Sequence, residues 1–227
     1  MPATLHIDEA ASIWNVAAEY RARELAARPL LVLMHGMGSH EFDLRGLFPL
    51  LPDAFVCVSV RAPLVFGPGA YAWQPDGGQQ HPTPEIFDAP AQAVETWLDS
   101  VAHTYGSAGT STSLLGFSQG AAMVSQLFRR DAGRYAAGVF LSGFLARLEI
   151  SGDARLAAAA PPLFWGRDLA DPVITPTSIA YAQEFLPQHF AVTERHYTGV
   201  GHGISREEVR DISDFLRTNV ISAAAGS

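Results

Sequence analysis

The sequence predicts an α/β protein in which a mostly parallel central sheet is covered by helices on both faces. Three observations lead to this prediction. Short apolar runs of strand length alternate with segments of helical periodicity along most of the chain. Most of these runs are apolar without alternation, which is typical of strands buried on both faces. The chain has 227 residues and is 48% hydrophobic, which suffices for one large core and argues against general disorder.

Six apolar runs are predicted to form the strands of one open sheet. They span 30–34, 55–60, 113–117, 138–141, 163–165 and 190–197. The first run ends at His35-Gly36, and the second ends at 61–63, which reads Arg-Ala-Pro. The single cysteine, Cys57, lies inside the second run, where we expect a buried and unreactive thiol.

Four segments between or after these runs carry apolar residues on one helical face. Their apolar positions lie within 94–105, 123–128, 179–186 and 209–216. Pro176 precedes the third segment and suits a first helical turn. The fourth follows Ser205 and Glu208, which have the spacing of a capping box. Because no internal repeat or linker divides the chain, residues 1–227 are predicted to form a single domain.

Two segments lie outside this alternation of strands and helices. Residues 63–90 contain six prolines and several aromatic side chains without a clear period. We expect them to form an irregular loop near the functional site, because long loops in compact domains are usually functional or disordered. The small, polar tail at 222–227 is predicted to fray.

The charge pattern excludes several classes of protein. The net charge is −8, and all 15 basic residues are arginine. Without a basic block, binding to nucleic acid is not expected. Without lysine, Schiff-base chemistry and a phosphate loop ending in Gly-Lys are excluded.

No apolar run approaches ~18 residues and no signal peptide is recognisable, so we expect a cytoplasmic protein without stable membrane insertion.

Residues 116–120 read Gly-Phe-Ser-Gln-Gly and fit the pattern Gly-x-Ser-x-Gly. They follow a predicted strand and open a predicted helix, which is the context of a nucleophile elbow. Glycine on both sides of Ser118 lets the strand and the helix approach closely. The amides at the start of the helix also point toward developing negative charge. Ser118 is therefore the candidate nucleophile.

A nucleophilic serine needs a histidine to accept its proton, and in this architecture that histidine follows both the serine and the acid. His202 lies in the glycine-rich loop 198–203 after the last predicted strand. The other two histidines beyond the serine, His189 and His196, fall at a helix end and within a strand. We therefore predict His202 as the general base.

The acid that orients the histidine should follow the fifth apolar run, where two aspartates compete. Asp171 precedes Pro172, which keeps the turn extended, and Val173 follows to pin the loop. Asp168 lies closer to the strand and would brace or cap the turn. We favour Asp171 as the acid and leave Asp168 as the alternative.

The oxyanion of an acyl-transfer intermediate needs two backbone donors. One is expected from Gln119, directly after the nucleophile, and the other from Met37, in the loop after the first run. The alternative that His35 and His40 bind a metal has little support, because their spacing has neither a helical context nor a nearby carboxylate pattern. We therefore expect no metal.

Five motifs together resemble the phospholipase/carboxylesterase family of α/β hydrolases, which includes small bacterial carboxylesterases and acyl-protein thioesterases. The motifs lie at 31–38, 61–63, 116–120, 171–173 and 201–202. The resemblance implies the α/β-hydrolase fold, a Ser–Asp–His triad, no cofactor, and an oxyanion hole formed by Met37 and Gln119.

These observations predict a serine hydrolase that cleaves small-molecule carboxylic esters of small to medium acyl chain. Leu64, Phe66 and Trp73 are predicted to line the substrate site, with plain packing beneath the loop as the alternative for the aromatic residues. An acyl thioesterase or lysophospholipase would use the same triad. A non-catalytic binding protein on a hydrolase scaffold is the alternative from another class. Exposed apolar residues around the irregular segment would permit a homodimer.

Overall fold

A computed structural model of the protein describes residues 4–75, 83, 85–106, 111–147 and 149–225. The strands are β1 (Ile13–Trp14), β2 (Leu30–Met34), β3 (Val56–Val60), β4 (Leu64–Gly67), β5 (Ala70–Ala72), β6 (Thr112–Phe117), β7 (Gly138–Leu141), β8 (Pro162–Asp168) and β9 (Ala191–Tyr197). The helices are α1 (Arg21–Ala27), α2 (Glu85–Tyr105), α3 (Gln119–Arg130), α4 (Asp153–Ala159), α5 (Pro176–His189), α6 (Arg206–Leu216) and α7 (Ser222–Ala225). Short 3-10 helices span Glu9–Ala11, Ala18–Tyr20 and Leu44–Leu50, and a π-helical turn spans Arg217–Ile221.

Seven strands form one sheet in the order β1-β3-β2-β6-β7-β8-β9. Every neighbouring pair is parallel except β1 with β3. The prediction of a mostly parallel sheet is therefore confirmed, and all six predicted strands are present. The sequence analysis missed the antiparallel edge strand, because two residues are too few to carry an alternation pattern.

Alternate residues of the central strands enter two separate apolar clusters, one on each face of the sheet. Val32 and Val58 pack in the larger cluster with residues of α2, α3 and α5. Leu31 and Leu33 pack in the smaller cluster with residues of α6 and the third 3-10 helix. Both faces of the central strands are thus dry, which explains why β2, β3 and β7 read as apolar runs.

The segment at 63–90 is not an irregular loop over its described part, so this prediction was wrong there. Strands β4 and β5 pair as an antiparallel hairpin, and α2 already begins at Glu85. The turn contains Pro68 followed by Gly69, whose φ of +69° suits the third position of a type II turn. That Pro-Gly pair was the signal that the analysis overlooked. Residues 76–82 and 84 lie outside the described residues.

The predicted frayed tail lies only partly within the described residues. Ser222–Ala225 continue the C-terminal helix as one further helical turn. Residues 226–227 lie outside the described part of the chain. Among the described residues, none of the helices combines the length and the apolarity needed to cross a membrane.

Helix α6 begins with the predicted capping box. The Ser205 hydroxyl accepts a hydrogen bond from the Glu208 amide at 3.0 Å, and Glu208 Oε2 accepts one from the Ser205 amide at 3.3 Å. The second carboxylate oxygen of Glu208 is buried against Gly166 of β8 and has no hydrogen-bond partner in the described part of the chain. Burial therefore raises the pKa of Glu208 to about 7.

This raised pKa gives a prediction for Glu208→Gln. In the unfolded chain the carboxyl titrates near 4.5, so the wild-type fold loses stability as the pH rises from about 4.5 to about 7. The amide variant carries no charge at this position at any of these pH values. We therefore expect its free energy of unfolding to exceed that of the wild type by on the order of 3 kcal/mol above pH 7, and the two values to be nearly equal at pH 4.5. Urea unfolding of both proteins at several pH values measures the difference. The control is Glu207→Gln, the same chemical change at the exposed neighbouring residue, measured under the same conditions.

Candidate active site

Ser118 lies on a sharp turn between β6 and α3. Its φ of 56° and ψ of −114° fall outside the usual region for a residue with a side chain. The turn is held by the Ser118 amide, which donates to the Leu141 carbonyl of β7 at 2.9 Å. The Ser118 carbonyl accepts from Ala121 and Ala122 in the first turn of α3. The strained serine predicted from the Gly-x-Ser-x-Gly pattern is therefore present.

Two glycines make this turn possible because the backbones on either side of it nearly touch. A Cβ atom on Gly116 would collide with the carbonyl group of Gly120. A Cβ atom on Gly120 would collide with the carbonyl group of Met34 in β2. The first turn of α3 is thus pressed against the carboxyl end of β2, where the predicted oxyanion loop begins.

Gly120→Ala is expected to disrupt the fold around the site. The new methyl group would overlap a backbone carbonyl of a central strand, and neither element can retreat without breaking the sheet or the elbow. We expect a loss of about 4 kcal/mol or more in the free energy of unfolding, measured by urea denaturation. Gly133→Ala is the control, since a Cβ atom there would come no closer than 3.7 Å to another group. Equal stability of the two variants would contradict this account of the elbow.

His202 and Asp171 are brought together, as predicted. Asp171 Oδ2 lies 2.8 Å from His202 Nδ1, and the Asp171 side chain is 1% exposed. The other oxygen, Oδ1, accepts from the amides of Val173 and Ile174 at 2.8 and 3.2 Å. The loop that follows Pro172 therefore fixes the carboxylate in the direction of the imidazole.

His202 lies beside the elbow, although its imidazole and the serine hydroxyl are not hydrogen-bonded. The ring centroids of His202 and Phe117 are 4.8 Å apart, and Phe117 directly precedes Ser118. The His202 side chain is 18% exposed, so one edge of the ring reaches solvent. In proteins without substrate, hydrogen bonds of this kind are often long and tighten only when substrate binds.

Asp168, the alternative acid, points away from the imidazole and holds the loop that carries His202. Its Oδ2 accepts from the amides of Val200 and Gly201, the latter at 2.8 Å, and Oδ1 accepts from Ala170 at 2.7 Å. These hydrogen bonds keep the pKa of Asp168 below its usual range. The bracing role that the sequence left open for Asp168 is the one its contacts support.

Met37 and Gln119, the two predicted oxyanion donors, lie at the ends of neighbouring strands β2 and β6. Among the hydrogen bonds of the described residues, neither backbone amide acts as a donor, so both are free to bind an external acceptor. The Gln119 side chain accepts from the Trp73 amide at 3.0 Å. The Gly38 amide donates to the Tyr71 carbonyl at 2.8 Å, which ties the Met37 loop to the hairpin.

His35 supports this loop and has no free nitrogen for a metal. Its Nδ1 lies 2.7 Å from the Gly36 carbonyl, and its Nε2 accepts from the Ala62 amide at 3.1 Å. Burial lowers the pKa of His35, so the ring is neutral and Nδ1 is the donor. Among the described residues, no group of three or more His, Cys, Asp or Glu side chains could hold a metal ion.

A buried ion pair that the sequence analysis missed connects three segments around the oxyanion loop. The Arg61 guanidinium binds Glu41 through two hydrogen bonds of 2.5 and 2.7 Å, and the Glu41 side chain is 3% exposed. The same guanidinium lies 4.5 Å from the centroid of the Tyr71 ring. Arg61 thereby links the end of β3, the loop after β2 and the hairpin. The Arg-Ala-Pro motif at 61–63 was part of the family resemblance. Nothing in the sequence indicated that Arg61 pairs with Glu41, which lies 20 residues earlier.

The three predicted substrate-lining residues have different positions. Trp73 is fully buried, and its indole N–H donates to the His35 carbonyl at 2.8 Å, so the prediction that it lines the site was wrong. Phe66 is 48% exposed, with its ring alongside Gly38 in the oxyanion loop. Leu64 is partly buried at the start of the hairpin. Trp73 instead belongs to the packing beneath the site, which was the stated alternative.

Apolar side chains that the sequence analysis did not assign surround the mouth of the site. Met37, Leu169 and Val173 are each about half exposed. A pocket of about 310 Å³ opens beside His202. It is lined by Asp43, Leu44, Gly46, Leu47, Phe117, His202, Gly203 and Ile204. The site therefore offers mainly apolar surface to a ligand, with a few polar groups placed among it.

The chain is similar to known hydrolases over most of its length. The family model of the phospholipase/carboxylesterase family matches residues 17–220. The chain belongs to this family. Esterase YpfH of Escherichia coli (strain K12) is 28% identical over 207 residues, which cover 86% of this chain and 84% of that protein.

Solved structures of esterases have the same fold as this member of the phospholipase/carboxylesterase family. The Bacillus cereus carboxylesterase superposes with a TM-score of 0.72 at 18% identity, covering 92% of this chain and 93% of the other. Esterase PE8 gives a TM-score of 0.74 at 24% identity, covering 95% and 100%. The fold is thus that of the α/β hydrolases, as the sequence predicted. The family and these relatives identify the chain as a hydrolase of the esterase type.

Proposed function

We propose that the protein hydrolyses carboxylic esters of small to medium acyl chain through an acyl-enzyme on Ser118. The observation that carries the proposal is the 2.8 Å contact between His202 Nδ1 and Asp171 Oδ2, beside a serine on a strained elbow. This is the arrangement in which a neutral imidazole is oriented to accept a proton from a serine hydroxyl. The free amides of Met37 and Gln119 support the same reading.

The reaction proceeds in two halves. Ser118 Oγ attacks the ester carbonyl carbon while His202 Nε2 accepts the hydroxyl proton. Asp171 holds the Nδ1–H tautomer and stabilises the imidazolium that forms. The Met37 and Gln119 amides bind the oxyanion, each contributing about 3 kcal/mol to the transition state in comparable sites. The alcohol leaves with the proton from His202, and a water molecule then cleaves the acyl-enzyme by the same steps in reverse order.

The expected chain length follows from the shape of the site. The pocket beside His202 has a volume of about 310 Å³, near the lower limit for ligand pockets. The exposed apolar side chains of Phe66, Leu169 and Val173 provide further contact area that is open to solvent. Short and medium acyl chains are therefore favoured over long ones.

A series of p-nitrophenyl esters from acetate to palmitate tests this function. We expect kcat/KM to peak at short or medium chains and to vanish in Ser118→Ala. A peak at palmitate would move the assignment to an acyl thioesterase or lysophospholipase with the same triad, which acyl-CoA and lysolipid substrates then separate. Equal background rates for both proteins throughout the series would contradict ester hydrolysis and favour a non-catalytic binding protein.

A further inference from the structure

Arg167 is a buried cation at the edge of the sheet where the candidate site lies. It occupies the penultimate position of β8 and is 7% exposed. Within the described part of the chain, its guanidinium makes no salt bridge and no hydrogen bond, and its Nε atom is buried without a partner. The guanidinium carbon lies 5.5 Å from the centroid of the Trp165 ring. Arginine stays ionised in proteins, so the side chain carries a positive charge there, with Nε enclosed and the two terminal nitrogens still reached by solvent.

The nearby carboxylates do not neutralise this charge, because each is directed elsewhere. Asp168 accepts from the amides of the His202 loop, and Asp171 accepts from His202. Glu208 caps α6 on the opposite face of the sheet. A largely buried charge that pairs with no carboxylate of the described residues is costly to the fold, and its terminal nitrogens remain open to a ligand that supplies the counter-ion.

Two further buried groups that have no hydrogen-bond partner among the described residues lie near Arg167. The Trp165 indole N–H precedes it by two residues on the same face of β8, and the Ser142 hydroxyl follows the neighbouring strand β7. Trp165 Nε1 and Arg167 Nε can only donate hydrogen bonds, and the Ser142 hydroxyl can also donate. A cluster of this composition, which we call the β7–β8 donor cluster, is suited to bind oxygen atoms that accept hydrogen bonds.

The donor cluster lies next to the candidate nucleophile. Phe117, Leu141 and Gly166 are paired across β6, β7 and β8, so the residues that follow them form a row along the carboxyl edge of the sheet. Those residues are Ser118, Ser142 and Arg167, linked by hydrogen bonds of 2.9 Å from Ser118 N to Leu141 O and from Ser142 N to Gly166 O. Because neighbouring strands lie ~4.8 Å apart, the backbone of Arg167 is about 10 Å from the backbone of Ser118.

We propose that the β7–β8 donor cluster binds a carboxylate of the substrate, so that the preferred ester carries an acidic group a few methylenes from the bond that is cleaved. This inference rests on the proposed function for the position of the reacting carbonyl at Ser118. The carboxylate would pair with the Arg167 guanidinium and accept from Ser142 and Trp165. This carboxylate belongs either to the acyl part or to the alcohol part of the ester. Two pairs of substrates distinguish the two cases.

For the acyl side, mono-4-nitrophenyl adipate is compared with its neutral methyl ester. For the alcohol side, 4-acetoxybenzoate is compared with methyl 4-acetoxybenzoate. In the wild type we expect kcat/KM for the acidic member of one pair to exceed that of the neutral member by about tenfold or more, since charged hydrogen bonds commonly provide at least that factor. In Arg167→Met the ratio should fall to about one or below.

Arg195→Met is the matched control. Arg195 is exposed on β9, paired with Gly166, and its replacement changes the net charge by the same amount. This variant should keep the wild-type ratio. If the wild type shows no preference for either acidic ester, or if Arg167→Met retains the preference, the proposal is overturned while ester hydrolysis stands.

Binding without turnover separates this proposal from the proposed function. Disodium adipate, added at constant ionic strength, should raise the melting temperature of the wild type and of Arg195→Met but not that of Arg167→Met. This result would support the anion site even if no ester in the series were hydrolysed. Without ligand, Arg167→Met should melt at the same temperature as wild type or higher, because an unpaired buried charge is removed. A lower melting temperature for that variant would identify Arg167 as a structural residue and overturn the proposal.

Discussion

Ser118→Ala is expected to lower kcat for ester hydrolysis by on the order of 10⁶-fold, because the substitution removes the hydroxyl proposed to form the acyl-enzyme. The remaining rate would come from the oxyanion donors and from substrate binding, which the substitution leaves in place. KM should therefore change far less than kcat. A stopped assay with purified protein and a p-nitrophenyl ester of short chain measures both constants.

The control for this substitution is Ser125→Ala. Ser125 is also buried in α3, where its hydroxyl donates to the Ala122 carbonyl at 2.8 Å, so its loss removes a hydrogen bond without touching the site. We expect kcat of this variant to stay close to wild type. A Ser118→Ala protein that melts like wild type and still turns over ester at the wild-type rate would exclude Ser118 as the nucleophile.

Asp171→Asn should have the second largest effect, a loss in kcat on the order of 10⁴-fold. The amide is similar in size to the carboxylate, but it can no longer stabilise the imidazolium of His202, and it favours the wrong tautomer of the ring. The measurement is kcat for the same ester, together with a melting curve that checks the fold.

Asp168→Asn provides the contrast that assigns the acid. Asp168 contacts the backbone of the His202 loop and not the imidazole, so its replacement should misplace the base without removing its partner. We expect a loss in kcat of roughly 10- to 100-fold, the size associated with small errors in position. The apparent pKa in the pH–rate profile should stay close to that of wild type. A larger loss for Asp168→Asn than for Asp171→Asn would reverse the assignment.

The central sheet and the elbow were predictable because their signals are local. A strand covered on both faces reads as an apolar run, and the close approach of β2 and α3 requires the glycine that follows Gln119. The choice of Asp171 over Asp168 was also local, since it depended on the Pro-Val that follows. The Asp168 contacts with Val200 and Gly201 span more than 30 residues and had no local signal.

The errors concern contacts between segments far apart in the chain. Trp73 was expected at the site because a large aromatic residue in a long connection suggests a pocket wall. Its indole N–H instead finds the carbonyl of His35, 38 residues earlier, and this hydrogen bond allows the ring to be buried completely. The low exposure of Arg167 could not be predicted from the sequence either. It depends on the segments that pack over the side chain, and these are distant in the chain.

Labelling with a fluorophosphonate tests the central claim most directly. The Oγ atom of an activated serine forms a bond to phosphorus and fluoride leaves, which produces a stable adduct without need for the natural substrate. We predict one adduct per chain by intact-mass spectrometry, located by peptide mapping on Ser118, with labelling greatly slowed in His202→Ala. An adduct on another residue, or a folded wild-type protein that remains unlabelled, would contradict the proposal that Ser118 is activated by His202 and Asp171.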